Sequence, residues 1–355
     1  MIPVPHRMLV SMKSTARLTV VGRGVPVAAP MYTSHERFIS STSRRKRLER
    51  FPVQPPTPVG VSAAVAAASS SGLAGPDSHS AASEKSQGSL ENEKAKPKPT
   101  IFDEFALTDR VGIVSGGNRG LGLEMALALC EAGARAVYCL DLPAEPSAEW
   151  RQTQAYVEGM EGVDARLEYV SVDVTKQEDV WARVAEIGDR EGRMDVCVAA
   201  AGILKEHTDC LSYPAKQFKE VLDVNTCGVL YTAQAAGQQM VRFGNKGSII
   251  LIASMSGSIT NRDHAWVSYN SSKSAVLQMA RSMACELGKK DIRVNSLSPG
   301  HIYTSMTAAY LDKQPHLLEK WSNLNPMGRI GRPDEMRGVC VWLASDASSF
   351  CTGSE

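Results

Sequence analysis

The residues best suited to move a proton are a tyrosine and a lysine four positions apart, Tyr269 and Lys273. This spacing places both side chains on one face of a helix. A phenol has an ordinary pKa of about 10 and is a poor base at neutral pH, but a neighbouring ammonium group lowers that pKa. Because many tyrosine–lysine pairs with this spacing are plain surface pairs, the assignment of Tyr269 as a general acid/base depends on its surroundings.

Two further polar residues point to the same chemistry. Ser254 follows the apolar run Gly247–Ile252, and reactive groups gather at the carboxyl ends of parallel strands, so we expect it to share a substrate oxygen with the tyrosine. Asn225 lies within the helical stretch Pro214–Val241, where asparagine is mildly disfavoured. It either relays protons toward the lysine through a water or a backbone kink, or simply marks a helix bend.

A glycine-rich segment follows the first predicted strand and opens a helix. Glycine there lets the chain turn tightly and bring backbone N–H groups and a helix N-terminus against a pyrophosphate. The G-x-x-x-G-x-G spacing is a weak signal alone, but its position at a strand-to-helix junction predicts a dinucleotide site. The predicted contacts are Ser115, Gly116, Asn118, Arg119, Gly120, Leu121 and Gly122.

Two aspartates end the next two predicted strands. Asp141 is placed to accept both ribose hydroxyls of an adenosine, and its charge would repel a 2′-phosphate. Arg119 favours the opposite choice, because a guanidinium binds phosphate well; we expect NAD to be preferred over NADP. Asp173 either meets the adenine amino group or is an ordinary helix N-cap before Thr175.

The fold class follows from the alternation of short apolar runs with amphipathic stretches. Strand, helix, strand repeated at this spacing predicts an α/β fold with a single doubly wound parallel sheet over residues 101–355. The predicted strands are Val111–Ser115, Ala136–Leu140, Leu167–Val172, Met194–Ala199, Gly247–Ile252 and Ile292–Leu297. Besides Pro214–Val241, the predicted helices are Leu121–Ala132, Asp179–Gly188 and Ser268–Leu287.

The first 100 residues have a different composition. Residues 1–50 hold ten Lys/Arg against two Glu and are rich in Ser and Thr, which is typical of a mitochondrial transit peptide; the alternative is a disordered basic tail on a cytoplasmic protein. The segment Arg37-Phe38-Ile39-Ser40-Ser41 resembles a matrix-processing site. Residues 51–100 are rich in Pro, Ala and Ser and cannot bury enough surface to fold, so we interpret them as a disordered linker.

Charge and cysteine usage exclude several classes of protein. The net charge of +1 combines +8 in residues 1–50 and zero in residues 51–100 with −7 in the remainder, and an acidic folded part argues against nucleic-acid binding. No apolar run is long enough to predict a membrane span. The eight cysteines are scattered without C-x-x-C pairs, and His207 with Cys210 lacks further ligands in sequence, so we expect neither a disulfide frame nor a metal site.

From about residue 107 onward the chain resembles the short-chain dehydrogenase/reductase family, on motifs that occur in the family's order: Ser115–Gly122, Asp173, Asn225, Ser254, Tyr269-x-x-x-Lys273 and Pro299-Gly300. The resemblance implies a single Rossmann-type domain with a seven-stranded sheet, a nicotinamide cofactor and a homo-oligomer, either a dimer or a tetramer. It assigns acid/base catalysis to Tyr269, substrate orientation to Ser254, ribose binding and pKa lowering to Lys273, and a relay to Asn225. The further cofactor contacts that it implies are Val174, Ala201, Gly202, Pro299, Gly300, Ile302 and Thr304.

The segment 295–306 resembles fungal polyol dehydrogenases, namely D-arabinitol and mannitol 2-dehydrogenases and sorbose reductases. This favours an oxidoreductase that interconverts a polyol and a ketose. A 3-oxoacyl thioester reductase and a non-catalytic dinucleotide-binding protein remain alternatives. Two departures bear on these expectations: Ala199-Ala200-Ala201-Gly202 stands where the family has Asn-Asn-Ala-Gly, and the sequence stops at Glu355, before the family's last strand is complete. Residues 304–321 are expected to form a helical lid.

Fusion of residues 1–60 to a fluorescent reporter is expected to direct it to mitochondria, because a basic, acid-poor and hydroxyl-rich segment is what the import machinery accepts. The measurement is co-localisation with a mitochondrial dye in living cells. A diffuse cytosolic signal would favour the basic tail instead.

Overall fold

The structure, a computed structural model, describes residues 100–205, 208–314 and 316–355. The predicted transit peptide and most of the predicted linker, together with His207, lie outside the described residues. The described part belongs to one unit, Leu90–Glu355. None of its helices is long and apolar enough to cross a membrane.

Six parallel strands form the sheet, in the order β3-β2-β1-β4-β5-β6. The order runs outward in both directions from β1, which makes the sheet doubly wound and confirms the predicted fold class. The strands are β1 Val111–Ser115, β2 Ala136–Asp141, β3 Arg166–Ser171, β4 Val196–Ala199, β5 Gly247–Ile252 and β6 Ile292–Leu297. Three match the predicted bounds, and the others differ by one or two residues at an end.

Within the described residues, ten α-helices connect and flank the strands. They are α1 Gly120–Glu131, α2 Ala148–Glu158, α3 Gln177–Glu191, α4 Ala215–Leu222, α5 Val229–Phe243, α6 Met255–Ser258, α7 Val267–Leu287, α8 Ser305–Lys313, α9 His316–Leu324 and α10 Arg337–Ala344. The stretch predicted as one helix from Pro214 is divided, because a π-helical turn, Asp223–Gly228, separates α4 from α5. The predicted lid corresponds to two helices, α8 and α9.

Each face of the sheet is buried under its own layer of helices. Ile113 belongs to a core cluster with residues of α3, α5 and α7, whereas the next residue, Val114, belongs to a second cluster with residues of α1, α2 and α10. Successive side chains of a strand point to opposite faces. Every residue of β1, β4 and β5 is therefore buried, which explains their continuous apolar runs.

The seventh strand implied by the family resemblance is not present among the described residues. Instead, Gly353 N donates to Val294 O at 2.7 Å, and Ser296 N donates to Ser354 O at 2.9 Å. Residues 353–354 thus lie beside the outer edge of β6. Two such bonds are too few to define a strand.

A buried carboxylate stabilises the sheet where its strands begin, at their amino-terminal ends. Asp195, just before β4, is 4% exposed and accepts a hydrogen bond from Val111 N, the first residue of β1, at 2.9 Å. Arg193 binds the same carboxylate through two nitrogens, at 2.8 and 2.9 Å. A buried N–H group needs such a partner, because losing it is costly.

Asp195→Ala is expected to lower the free energy of unfolding by about 1–3 kcal/mol, because it leaves the Val111 N–H group buried without its acceptor. Urea unfolding measures this change, and turnover should persist because Asp195 lies far from the carboxyl ends of the strands.

A matched control comes from the same Arg-x-Asp spacing at the surface. Asp334 is bound by two nitrogens of Arg332, both at 3.0 Å, but both side chains are exposed. Asp334→Ala should leave the urea midpoint almost unchanged. Equal destabilisation by the two variants would contradict the role given to Asp195.

Candidate active site

The glycine-rich turn between β1 and α1 requires glycine at specific positions. Gly116 has a φ of +70°, and a Cβ atom there would lie 2.8 Å from the backbone of Ala201. A Cβ atom on Gly122 would overlap the carbonyl oxygen of Gly116. At Gly120, with a φ of +60°, the space is open. The turn therefore leaves bare backbone and free space at the N-terminus of α1, which fits the pyrophosphate of a dinucleotide.

A cleft of about 460 Å³ runs along the carboxyl ends of the strands, from this turn to Tyr269. Seventeen of the residues predicted from the sequence line it: Gly116, Arg119, Gly120, Leu121, Gly122, Asp141, Asp173, Val174, Ala201, Gly202, Ser254, Tyr269, Lys273, Pro299, Gly300, Ile302 and Thr304. The parallel sheet brings them together, because they lie at or after the carboxyl end of a strand or within the first two turns of a helix.

Three predicted residues, Ser115, Asn118 and Asn225, do not line the cleft. Ser115 is fully buried, and its Oγ accepts a hydrogen bond from Ala201 N at 3.4 Å. Asn118 Oδ1 accepts from Ser147 N at 2.8 Å. Both side chains thus form hydrogen bonds that connect neighbouring chain segments behind the cleft, and neither faces into it. The Ser115 carbonyl also accepts from Ala200 N at 3.1 Å, so backbone bonds hold the segment that lacks the family's asparagines.

The two aspartates differ in what their carboxylates bind. Asp141 Oδ2 accepts from Asn118 N at 3.1 Å and Oδ1 accepts from Leu142 N at 2.8 Å. Asp173 Oδ1 accepts from both Thr175 N, at 2.9 Å, and Thr175 Oγ1, at 2.8 Å. Since α3 begins only at Gln177, Asp173 forms a local turn and is not the helix N-cap. Each carboxylate retains acceptor capacity toward the cleft.

Ser254 and Tyr269 meet at the far end of the cleft. Ser254 caps the short helix α6, and its Oγ accepts from Ser256 N at 3.1 Å. Burial raises the pKa of the Tyr269 hydroxyl above its ordinary value, and a side-chain hydrogen bond with Ser254 acts in the opposite direction. The phenol is therefore favoured over the phenolate, so that this hydroxyl can donate a proton.

Lys273 lies beneath this pair and is only 4% exposed. Its Nζ donates to Ile252 O, at the end of β5, at 2.7 Å and lies 5.8 Å from the centre of the Tyr269 ring. Burial lowers the pKa of Lys273 to about 8. The sequence predicts that this lysine lowers the pKa of Tyr269. In the protein alone that pKa is raised, because burial of the phenol is the largest effect on it.

Asn225 lies in the π-helical turn between α4 and α5 and is fully buried. Its Oδ1 accepts from Ile203 N at 2.8 Å and its Nδ2 donates to Ile203 O at 3.0 Å. The side chain therefore ties the helix to the segment after β4. A Cβ atom on Gly202 would lie 3.5 Å from Asn225 Oδ1 and 3.6 Å from Lys273 Nζ, so asparagine and lysine flank one small gap. The predicted helix irregularity is present, and Asn225 adjoins the lysine.

An aromatic cluster packs behind Tyr269. Trp321 Nε1, on α9, donates to His264 Nε2 at 3.1 Å, and the indole of Trp321 stacks on the imidazole of His301, with centroids 4.1 Å apart. His264 in turn stacks on Trp266, at 4.3 Å. Burial, with a smaller effect of His264, lowers the pKa of His301 to about 4. Sequence reasoning did not find this cluster, because nothing local links positions 264, 301 and 321.

Sequence reasoning also missed other residues that line the cleft. Most of them are apolar or small residues next to predicted ones in the sequence, and this proximity is the only feature that could have identified them. They are Leu142, Pro143, Val172, Ala200, Ile203, Val224, Ile252, Ala253, Ser305, Met306 and Thr307. Over the described ranges, no three His, Cys, Asp or Glu side chains form a group that could hold a metal ion.

Comparison with known proteins agrees with this geometry. A family model described as enoyl-(acyl carrier protein) reductase matches residues 116–355. Sorbose reductase from Schizosaccharomyces pombe is 39% identical over 259 residues, which cover 71% of this chain and 94% of the relative. The ribulose-forming D-arabinitol 2-dehydrogenase from Scheffersomyces stipitis is 34% identical over 260 residues, covering 71% and 93%. The predicted similarity to fungal polyol dehydrogenases is thus confirmed.

Among solved structures, a gluconate 5-dehydrogenase from Burkholderia cenocepacia in complex with NADP and tartrate superposes with a TM-score of 0.65. It is 29% identical, and the match covers 71% of this chain and 94% of that one. Sequence, fold and the residues gathered in the cleft therefore agree. The chain belongs to the short-chain dehydrogenase/reductase family, as an NAD(P)-dependent oxidoreductase that interconverts a secondary alcohol and a ketone.

Proposed function

We propose that this protein interconverts a polyol and a ketose. The observation that carries the proposal is that Ser254 and Tyr269 lie beside a buried lysine at one end of a cleft whose other end is the glycine turn. The relatives named for D-arabinitol and sorbose support a polyhydroxylated substrate.

The residues of the cleft suggest how the reaction proceeds. A bound nicotinamide dinucleotide would supply the acceptor or donor of hydride. Gly116, Gly120 and Gly122 would hold its pyrophosphate, and Asp141 would hold its ribose. Ser254 hydrogen-bonds the substrate oxygen and orients it toward Tyr269. The Tyr269 hydroxyl gives its proton to that oxygen during ketone reduction and takes it back during alcohol oxidation.

Lys273 and Asn225 act on the proton rather than on the substrate carbon. A lysine whose pKa is about 8 exchanges its proton near neutral pH, so it can restore the proton that Tyr269 donates. Asn225 adjoins the same gap beside Gly202. Its place in a π-helical turn supports the relay role, since such turns are frequent at functional sites.

A second candidate substrate is a 3-oxoacyl thioester; the matching family model is described for an enzyme of acyl thioesters, an enoyl-(acyl carrier protein) reductase, which supports an acyl thioester only as a substrate class. Both candidates use the same catalytic residues, so only substrate preference separates them. Turnover rates with a panel of polyols, ketoses and 3-oxoacyl thioesters, followed by the absorbance of reduced nicotinamide at 340 nm, would decide between the two substrates. Faster turnover of the thioesters would contradict the polyol proposal.

We also propose that residues 1–50 direct the protein to mitochondria and that it assembles as a homo-oligomer. The basic, hydroxyl-rich composition of residues 1–50 supports the first proposal. Membership of the family supports the second.

Tyr269→Phe is expected to lower kcat by about 10²–10⁴-fold, the usual contribution of general acid/base catalysis, because only the ionisable hydroxyl is removed. Cofactor affinity, followed by quenching of protein fluorescence, should change little. Tyr213→Phe is the matched control, since Tyr213 also shares a hydrogen bond with a serine, Ser268, at 2.7 Å. A Tyr269→Phe protein with more than about a tenth of wild-type turnover would refute the mechanism.

We further propose that NAD is preferred over NADP. Both oxygens of Asp141 are oriented by backbone N–H groups, and the carboxylate lines the cleft where a 2′-phosphate would meet a like charge. Arg119, which also lines the cleft, is exposed, and no ion pair joins it to Asp141 within the described ranges. A carboxylate bonded to both ribose hydroxyls favours NAD by charge-assisted hydrogen bonds.

Asp141→Asn should raise kcat/KM with NADP and lower it with NAD, each by about tenfold, because hydrogen bonds to charged groups contribute about 1.5–3 kcal/mol. Arg119→Ala serves as the opposite variant and should lower the use of NADP alone. Wild-type turnover with NADP equal to that with NAD would show that Arg119, not Asp141, decides.

A further inference from the structure

Ser272 lies on α7 between the two residues that move protons, and no role has been given to it so far. It is fully buried. Its Oγ donates to the carbonyl oxygen of Tyr269 at 2.7 Å, and the same Oγ accepts from Asn225 Nδ2 at 3.1 Å. One hydroxyl thus joins the catalytic helix to the asparagine of the π-helical turn.

Because the Ser272 hydroxyl has a single proton, it also determines which end of the Asn225 amide, oxygen or nitrogen, points toward it. A serine hydroxyl has one proton to donate, and the Tyr269 carbonyl, which can only accept, takes it. Toward Asn225, Ser272 Oγ can therefore only accept, so the amide nitrogen must face it. Ile203 imposes the same orientation, because its N–H group needs Oδ1 and its carbonyl needs Nδ2.

Ser272 and Asn225 are both fully buried, which gives this arrangement its weight. A buried amide with fixed partners keeps one orientation, whereas an unsatisfied amide N–H group in such a place is costly and drives rearrangement. The oriented Oδ1 atom borders the gap beside Gly202 that Lys273 Nζ also borders. Ser272 and Ile203 thereby fix together a polar atom that borders the same gap as the lysine, and Ser272 does not line the cleft.

We propose that Ser272 is a positioning residue, which orients the Asn225 amide and so maintains the path that returns protons to Lys273. The proposal rests on the proposed function, in which Asn225 and Lys273 form a relay. Ser272 acts only through Asn225, which distinguishes it from a residue that merely stabilises α7.

Ser272→Ala is expected to lower kcat by about 10- to 100-fold, the loss that follows when a catalytic group is displaced by about 1 Å, with little change in cofactor affinity. Ser271→Ala is the matched control. It makes the same substitution one residue earlier on the same helix, at an exposed position, and should keep wild-type turnover.

A double-mutant cycle with Asn225→Ala tests the route of the effect. If Ser272 acts through Asn225, adding Ser272→Ala to Asn225→Ala lowers kcat no further. Multiplicative losses in kcat would overturn the proposal, because they would show that the serine acts independently.

Hydrogen exchange at the Ile203 amide gives a readout that needs no activity. This N–H group is bonded to Asn225 Oδ1, so its exchange should accelerate in Ser272→Ala and in Asn225→Ala but not in Ser271→Ala. Unchanged protection of Ile203 in Ser272→Ala would overturn the proposal even if the enzyme were inactive. Wild-type turnover of Asn225→Ala would instead contradict the relay in the proposed function, and the exchange rates would still decide the orienting role of Ser272.

Discussion

The hydrogen bond from Lys273 Nζ to the carbonyl oxygen of Ile252 joins the catalytic helix to the sheet. An ammonium group in a buried position needs such a partner. The bond holds α7 against the carboxyl end of β5, and the chain leaving β5 carries Ser254. Tyr269, one turn before the lysine, is thereby brought to the serine. The catalytic geometry thus depends on a contact between a side chain and the backbone of a strand.

The sequence was sufficient for the strands and for most of the cleft, and the reason is physical. A strand buried on both faces has a continuous apolar run, and polar or glycine residues just after such runs must meet at one edge of the sheet. Asp141 and Ser254 were found in this way. The same reasoning could not show that Ser115 and Asn118 turn away from the cleft, since both lie in the same turn as residues that line it.

Long-range side-chain contacts remained beyond prediction. The stacking of Trp321 on His301 and the hydrogen bond that Asn225 donates to Ser272 join residues from separate helices or loops, and no local spacing encodes them. The direction of the Tyr269 pKa shift in the protein alone was also beyond prediction. Sequence spacing indicates that a cation lies nearby, but it does not show how deeply the phenol and the ammonium are buried, and burial is the first cause of both shifts.

The π-helical turn between α4 and α5 has a consequence for how this segment can change over evolution. An α-helix closes its hydrogen bonds four residues apart, whereas a π-helical turn closes them five apart and so holds one extra residue. Deleting one residue within Asp223–Gly228 would restore regular hydrogen bonding and remove the widened turn that carries Asn225. The hydrogen bonds of Asn225 with Ile203 would then be lost, although α4 and α5 could remain in place. The number of residues in this turn is therefore linked to the position of Asn225.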